Sequence, residues 1–253
     1  MLKYKALICD IDGTLVNTKI SKLPSEDVKQ AIDKIRNKIH VGVATSRPYD
    51  YMKHIGKHLN LSGPSIITGG AQIVDMKTGK TLWEQVLSPE DYKKGIAILI
   101  KNRVNFFIND NGLDCEFTPA YVPNKPYSIV PTNLTEKQAD KIAEEVSRIP
   151  TLAAHKIYAS SRTEFFMDIT DVKATKQHAI LKLAEILSIA THEIIGIGDG
   201  HNDRPLLMAC GLKIAMGNAP RDLKAIADYV APSVEEDGVV DVIEKFLVST
   251  GKL

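Results

Sequence analysis

The 253-residue chain has few cysteines, a single tryptophan and no long apolar run. Its three cysteines, Cys9, Cys115 and Cys210, are odd in number and form no CxxC pair. That excludes a zinc or thioredoxin-like centre built on them, and they read as free thiols of a reducing compartment. No apolar stretch approaches the roughly 18 residues of a membrane span. The N-terminal apolar run is broken by acids after about four residues, too soon for a signal-peptide core. Excess charge of one sign is missing as well, with 32 basic against 31 acidic side chains and a net charge of +1. No global field therefore recruits nucleic acid or an anionic membrane. Internal repeats and low-complexity segments are absent, and the expected location is cytoplasmic.

What is present is an alternation of strand and helix. The runs at 4–9, 39–45 and 65–68 read as short buried strands. Between them, Ser25 caps a helix whose stripe is Val28, Ala31, Ile32 and Ile35, and Pro48 opens another to about Leu59. Residues 72–85 read as a hairpin turning at Thr78-Gly79. After about Leu87 the rhythm becomes helix, two strands, helix, two strands. Ser88-Pro89 starts the first helix, Asn111-Gly112 turns a hairpin, and Thr135 with Gln138 makes a capping box. The first rhythm returns at Thr175, with a strand at 193–198, a helix after Asn202, a strand at 212–216 and helices beyond. The expected architecture is α/β: residues 1–86 and 169–253 form one parallel sheet, interrupted by an α+β unit at 87–168.

Four stretches stand at the ends of expected core strands, where open α/β sheets bind ligands. They are Asp10-Ile11-Asp12-Gly13-Thr14, Thr45-Ser46-Arg47, Thr175-Lys176, and Gly198-Asp199-Gly200-His201-Asn202-Asp203. Two acids against an apolar strand are costly unless positive charge compensates them. A Ca²⁺ loop of the EF-hand kind is excluded, because its sixth and twelfth positions, counted from Asp10, hold Leu15 and Ser21. Asp10 and Asp199, assisted by Asp203, instead supply hard oxygen ligands of the kind Mg²⁺ takes. Lys176 adds a second positive charge at a helix N-terminus, and the Thr45 hydroxyl offers a donor to phosphate oxygens. Acids, a divalent cation, a lysine and small hydroxyls together suit phosphoryl transfer.

The stretches DIDGTL, VATSRPY, the helix start at Lys176 and GDGHNDRPLLMACG resemble motifs I to IV of the haloacid dehalogenase superfamily. The tail, AMGNAP…AIADYVAPSVEEDGVV, is similar to its Cof-like type IIB members. The resemblance runs from Lys3 to about Phe246 and is weakest over 87–168. It implies a Rossmann-like core with a type C2 cap inserted between motifs II and III. It also implies Mg²⁺-dependent hydrolysis of a small phosphorylated metabolite such as a sugar phosphate. Asp10 would then be the nucleophile that forms an aspartyl-phosphate, and Asp12 the acid and base. Thr45 and Lys176 would hold the phosphoryl group, with Ser46, Arg47 and Asn202 completing the substrate contacts. Asp10, the Asp12 backbone carbonyl and Asp199 would bind Mg²⁺, supported by Asn202 and Asp203. The chain departs from the usual pattern at Ser46, Gln177 and Gly69. A phosphomutase of the same superfamily is the nearest alternative, and a non-catalytic phosphate-binding regulator is a more distant one.

Other features have plainer expectations. His54 and His58 read as a solvated helix face, and Phe106, Phe107, Phe165 and Phe166 as cap core. For Arg47, reaching the substrate and pairing with an acid are equally open. Asn109, Asp110, Lys125 and Tyr127 are the polar candidates for reading the leaving group.

Overall fold

The structure, a computed structural model, describes residues 3–158 and 165–248. The first part of the chain supplies β1 (Ala6–Cys9), α1 (Glu26–Ile35), β2 (His40–Val43), α2 (Tyr49–His58), β3 (Pro64–Ile67), β4 (Gln72–Asp75) and β5 (Thr81–Glu84). The middle supplies α3 (Pro89–Asn102), β6 (Phe106–Asp110), β7 (Leu113–Glu116), β8 (Pro126–Pro131), α4 (Glu136–Ser147), β9 (Leu152–Tyr158) and β10 (Phe165–Asp171). The last part supplies α5 (Lys176–Leu187), β11 (Ile194–Gly198), α6 (Arg204–Ala209), β12 (Leu212–Ala215), α7 (Arg221–Lys224), β13 (Tyr229–Val230) and α8 (Gly238–Ile243).

The central sheet is parallel, with strand order β13-β12-β11-β1-β2. Both faces of β1 are buried, so its sequence is continuously apolar. Leu7 and Cys9 enter the core cluster shared with α1, α2 and α8, whereas Ala6 and Ile8 enter the cluster shared with α5 and α6. On β11, Gly196 lets α6 approach, since a Cβ there would lie 2.7 Å from the Cys210 sulfur.

The expectation of one parallel sheet needs a correction. β3, β4 and β5 form a separate three-stranded antiparallel sheet, joined to the central sheet by a parallel bridge between Ala44 and Ile66. The physical reason is the hairpin itself: once β4 and β5 turn at Gly79 (φ +72°), β3 pairs with β4. The helix starts agree with their sequence signals, down to the Thr135–Gln138 capping box of α4.

The middle segment makes an antiparallel sheet in the order β7-β6-β8-β10-β9. It has its own apolar cluster, in which Ile108, Ile129 and Ile169 pack with α3 and α4 residues such as Leu99 and Ile142. β8 is an additional strand, between the Asn111-Gly112 hairpin and α4, that the sequence rhythm does not show. Its prolines stand at its first and last positions, where strands tolerate them, and Tyr127 to Val130 are buried between β6 and β10. β13 also escapes the sequence reading, being two residues long.

Candidate active site

Three carboxylates converge where β1 and β11 end. Asp10 leaves β1 as the chain turns, its N–H held by the Ile197 carbonyl at 2.9 Å. Asp199 follows β11, and Asp203 lies four residues further on in a short 3₁₀ turn. One oxygen from each of the three lies within 4.8 Å of the others. Asp10 and Asp203 are buried, and Asp199 is partly so.

Lys176, the first residue of α5, enters this cluster with 2 % of its surface exposed. Its Nζ donates to Asp10 Oδ1 at 2.8 Å and to Asp203 Oδ1 at 2.6 Å. The other Asp203 oxygen accepts the backbone N–H groups of Asp199 and Gly200 at 3.0 and 2.9 Å, which shapes the turn. Thr14 donates to Asp199 Oδ1 at 3.0 Å. Gly13, at φ +86°, brings the two loops together: a Cβ there would fall 2.2 Å from Asp199 Oδ2.

Sequence reasoning missed Asn218. Its amide donates to Asp199 Oδ2 at 3.0 Å and to the Gly13 carbonyl at 2.9 Å, and its oxygen accepts the Val234 N–H. It thereby aims Asp199 from the loop after β12. The available signal was its place just past a core strand, in the same pattern as the other four stretches.

Asp12 stands apart from the three carboxylates. Its carboxylate takes two hydrogen bonds from Arg47, one of them from Nε at 2.8 Å. The open question about Arg47 is thus answered here by pairing with an acid. Thr45 is buried, with Oγ1 accepting the Arg47 N–H at 3.2 Å. Ser46 hydrogen-bonds to Asp168 on β10.

A cavity of ≈ 590 Å³ opens over these groups, with Asp10, Asp12, Thr45, Ser46, Asp199 and Asn202 in its wall. Its opposite wall includes Ile157 of β9 and Phe166 of β10, so Phe166 faces the site instead of filling the core of the antiparallel sheet. The polar candidates Asn109, Asp110, Lys125 and Tyr127 do not line it. Lys125 and Tyr127 bind Glu84, Asp110 accepts from Tyr121 and from two backbone N–H groups, and Asn109 pairs with Asp114. His58 is half-buried and bonded to the Pro24 carbonyl at 3.1 Å, so only His54 fits a solvated face.

The charge balance identifies what the site can hold. Asp10, Asp199 and Asp203 against Lys176 leave a formal −2 in a mostly buried space. Burial, then the charge of Asp203, raises the Asp10 pKa to about 7, with Lys176 acting the other way. Burial and Asp10 likewise hold Asp199 well above the usual carboxylate range. For Lys176, burial would lower the pKa, but Asp10 and Asp203 outweigh it and push it up. An all-oxygen donor set with uncompensated negative charge fits a hard divalent cation.

A carboxyl with a raised folded pKa contributes stability below its usual value of 3.8 and loses it as pH rises through about 7. Protons and a cation compete for these oxygens, so Mg²⁺ is expected to raise Tm more at about pH 8 than at about pH 5. Equal shifts in melts at both values would contradict the site.

Among the described residues, no helix is long and apolar enough to cross a membrane. The haloacid dehalogenase-like hydrolase family matches residues 7–114 and 117–243. A 5-amino-6-(5-phospho-D-ribitylamino)uracil phosphatase of Bacillus subtilis is 26% identical over 96% of both chains. A phosphoglycolate phosphatase of Methanosarcina acetivorans is 27% identical over 99% of both. A solved subclass IIB sugar phosphatase superposes with a TM-score of 0.80 at 23% identity, over 96% of this chain and 98% of that one. The chain belongs to the haloacid dehalogenase-like hydrolases.

Proposed function

We propose that this phosphomonoester hydrolase is Mg²⁺-dependent and works through an aspartyl-phosphate on Asp10, acting on small phosphorylated metabolites, sugar phosphates foremost. The observation that carries this reading is Lys176 bridging Asp10 and Asp203 beside Asp199, with Asp10 and Asp199 in the wall of a cavity large enough for a small metabolite. Asp10, Asp199 and Asp203 would hold the cation, with the Asp12 backbone carbonyl beside them. When bound, Mg²⁺ neutralises charge on the phosphoryl group and so favours attack by an anion.

The chain's own groups do the rest. Asp10 attacks phosphorus while Lys176 and Thr45 hold the phosphoryl oxygens. Asp12, whose carboxylate is outside the cluster, gives a proton to the leaving oxygen. It then takes one from the water that hydrolyses the intermediate. Arg47 orients that carboxylate at the cavity wall and brings positive charge to the edge of the phosphate site. Ser46 and Asn202 lie on the same wall, on the substrate side. Residues 87–168 form the cap that excludes water and selects substrate, and the reaction belongs in the cytoplasm.

Asp12→Asn tests the assignment. It keeps the shape and the backbone carbonyl, so Mg²⁺ and substrate should still bind while turnover falls about 10²–10⁴-fold. In the wild type, isotope from labelled water should appear in the released phosphate. Phosphate without label, together with a phosphoryl group returned to another hydroxyl of the same sugar, would make the enzyme a mutase.

A further inference from the structure

β9 and β10 pair antiparallel with Asp168 opposite His155 and Phe166 opposite Ile157. Side chains alternate along each strand, so these four share one face. Phe165, Met167 and Ile169 point the other way, into the cap's own core. The shared face looks onto the catalytic cavity. Phe166 and Ile157 line the large chamber, and His155 and Asp168 line a small recess with Ser46, Gly69, Lys176 and Asn202. Ser46 and Asn202 belong to both walls, so the recess adjoins the phosphate site.

The recess measures ≈ 10 Å³, space for one hydroxyl or one water. Two features mark it as built. His155 Nε2 is buried and finds no hydrogen-bond partner among the described residues, an arrangement that costs free energy until a polar group arrives. Asp168 lies against the turn at 68–70, where Thr68 (φ 51°), Gly69 (φ 66°) and Gly70 (φ 109°) are all left-handed. A β-branched Thr in that region is strained, and strain of this kind collects at functional sites. The turn is tied to the phosphate loop by Thr68 N–H to the Arg47 carbonyl and Gly69 N–H to the Thr45 carbonyl, both at 3.1 Å. A Cβ on Gly69 would crowd the Asp168 carboxylate at 2.9 Å, so glycine lets that carboxylate sit there.

We propose that His155 and Asp168 together read the leaving group, binding one hydroxyl of a polyhydroxylated alcohol and turning away leaving groups that carry a carboxylate. This rests on the phosphatase reading above and specifies its substrates as sugar or alditol phosphates. A hydroxyl donates its one proton to the Asp168 carboxylate and accepts from His155 Nε2–H, which takes the neutral tautomer with its proton on Nε2. Burial and Lys176 lower the His155 pKa to about 4, so the ring is neutral at physiological pH. Burial raises that of Asp168 only to about 6, with Ser46 and Lys176 pulling it down, so its carboxylate is mostly charged there. A second carboxylate, as in phosphoglycolate, would meet this charge in a recess too small to hydrate both.

The test compares kcat/KM across hexose and alditol phosphates, their single-deoxy analogues, phosphoglycolate and p-nitrophenyl phosphate, with Mg²⁺ present. In the wild type, one deoxy position should lose about tenfold or more, and phosphoglycolate should rank below the polyol phosphates. In His155→Phe and in the near-isosteric Asp168→Asn, the ratio of parent to that deoxy analogue should collapse toward one. A purely structural role, such as holding a buried water, would lower both substrates together and leave the ratio unmoved. An unmoved ratio in both variants, or a wild type indifferent to every deoxy position, overturns the proposal. No phosphate release from any compound, p-nitrophenyl phosphate included, overturns the phosphatase reading and this one with it.

Discussion

Asp10→Asn is expected to lower kcat/KM by about 10⁴-fold or more and to leave no acid-stable phosphate on the chain. The substitution keeps the shape and the hydrogen bond from Lys176 but removes the attacking anion. It should not cost stability. Asp10 ionises against burial and against Asp203, which is why its pKa is raised to about 7. A group in that position weakens the fold once charged. Without metal, the variant should therefore melt at or above the wild-type temperature at about pH 8. Loss of activity with a lowered Tm would mean that the residue is structural.

Lys176→Met should have the largest effect on stability. Lys176 is 2 % exposed and holds two buried carboxylates. Removing one partner of a buried ionic network leaves the other charges uncompensated, at a cost of about 3–5 kcal/mol. For a chain of this size that lowers Tm by about 10 °C. The sign of the pH dependence is a second check. The loss should be greatest at about pH 8 and shrink toward about pH 5, as Asp10 and Asp199 take up protons. Excess Mg²⁺ should restore part of it by replacing the missing charge. Differential scanning calorimetry at both pH values would measure this, and an equal loss at each would contradict the network.

Both expectations rest on residues that were legible in the sequence. Asp10, Thr45, Lys176 and Asp199 each follow a short apolar strand or open a helix, so local pattern places them at one edge of the parallel sheet. The helix caps at Ser25, Ser88 and Thr135 were legible for the same reason, since a cap is made by residues three positions apart.

What escaped depends on pairing over long sequence distances. The bidentate contact of Arg47 with Asp12 spans 35 positions, and nothing local chooses it over a reach toward substrate. Asn218 acts on Gly13, 205 positions away. β8 was hidden by its terminal prolines, although it is central in its sheet. The residues facing the cavity from β9 and β10 follow from strand register, which sets His155 opposite Asp168. The alternation Phe165, Phe166, Met167, Asp168, Ile169 held half of that information: it separates a core face from an open one. It does not reveal what the open face meets.

The claim at the centre of this account is that Asp10 carries the phosphoryl group during turnover. It is tested most directly by rapid acid quench of the Mg²⁺-loaded enzyme turning over a radiolabelled hexose phosphate, followed by peptide mapping. The expected result is label on the peptide containing Asp10, appearing before free phosphate and absent in Asp10→Asn. Label on another residue, or full turnover with no protein-bound label at any quench time, would contradict it.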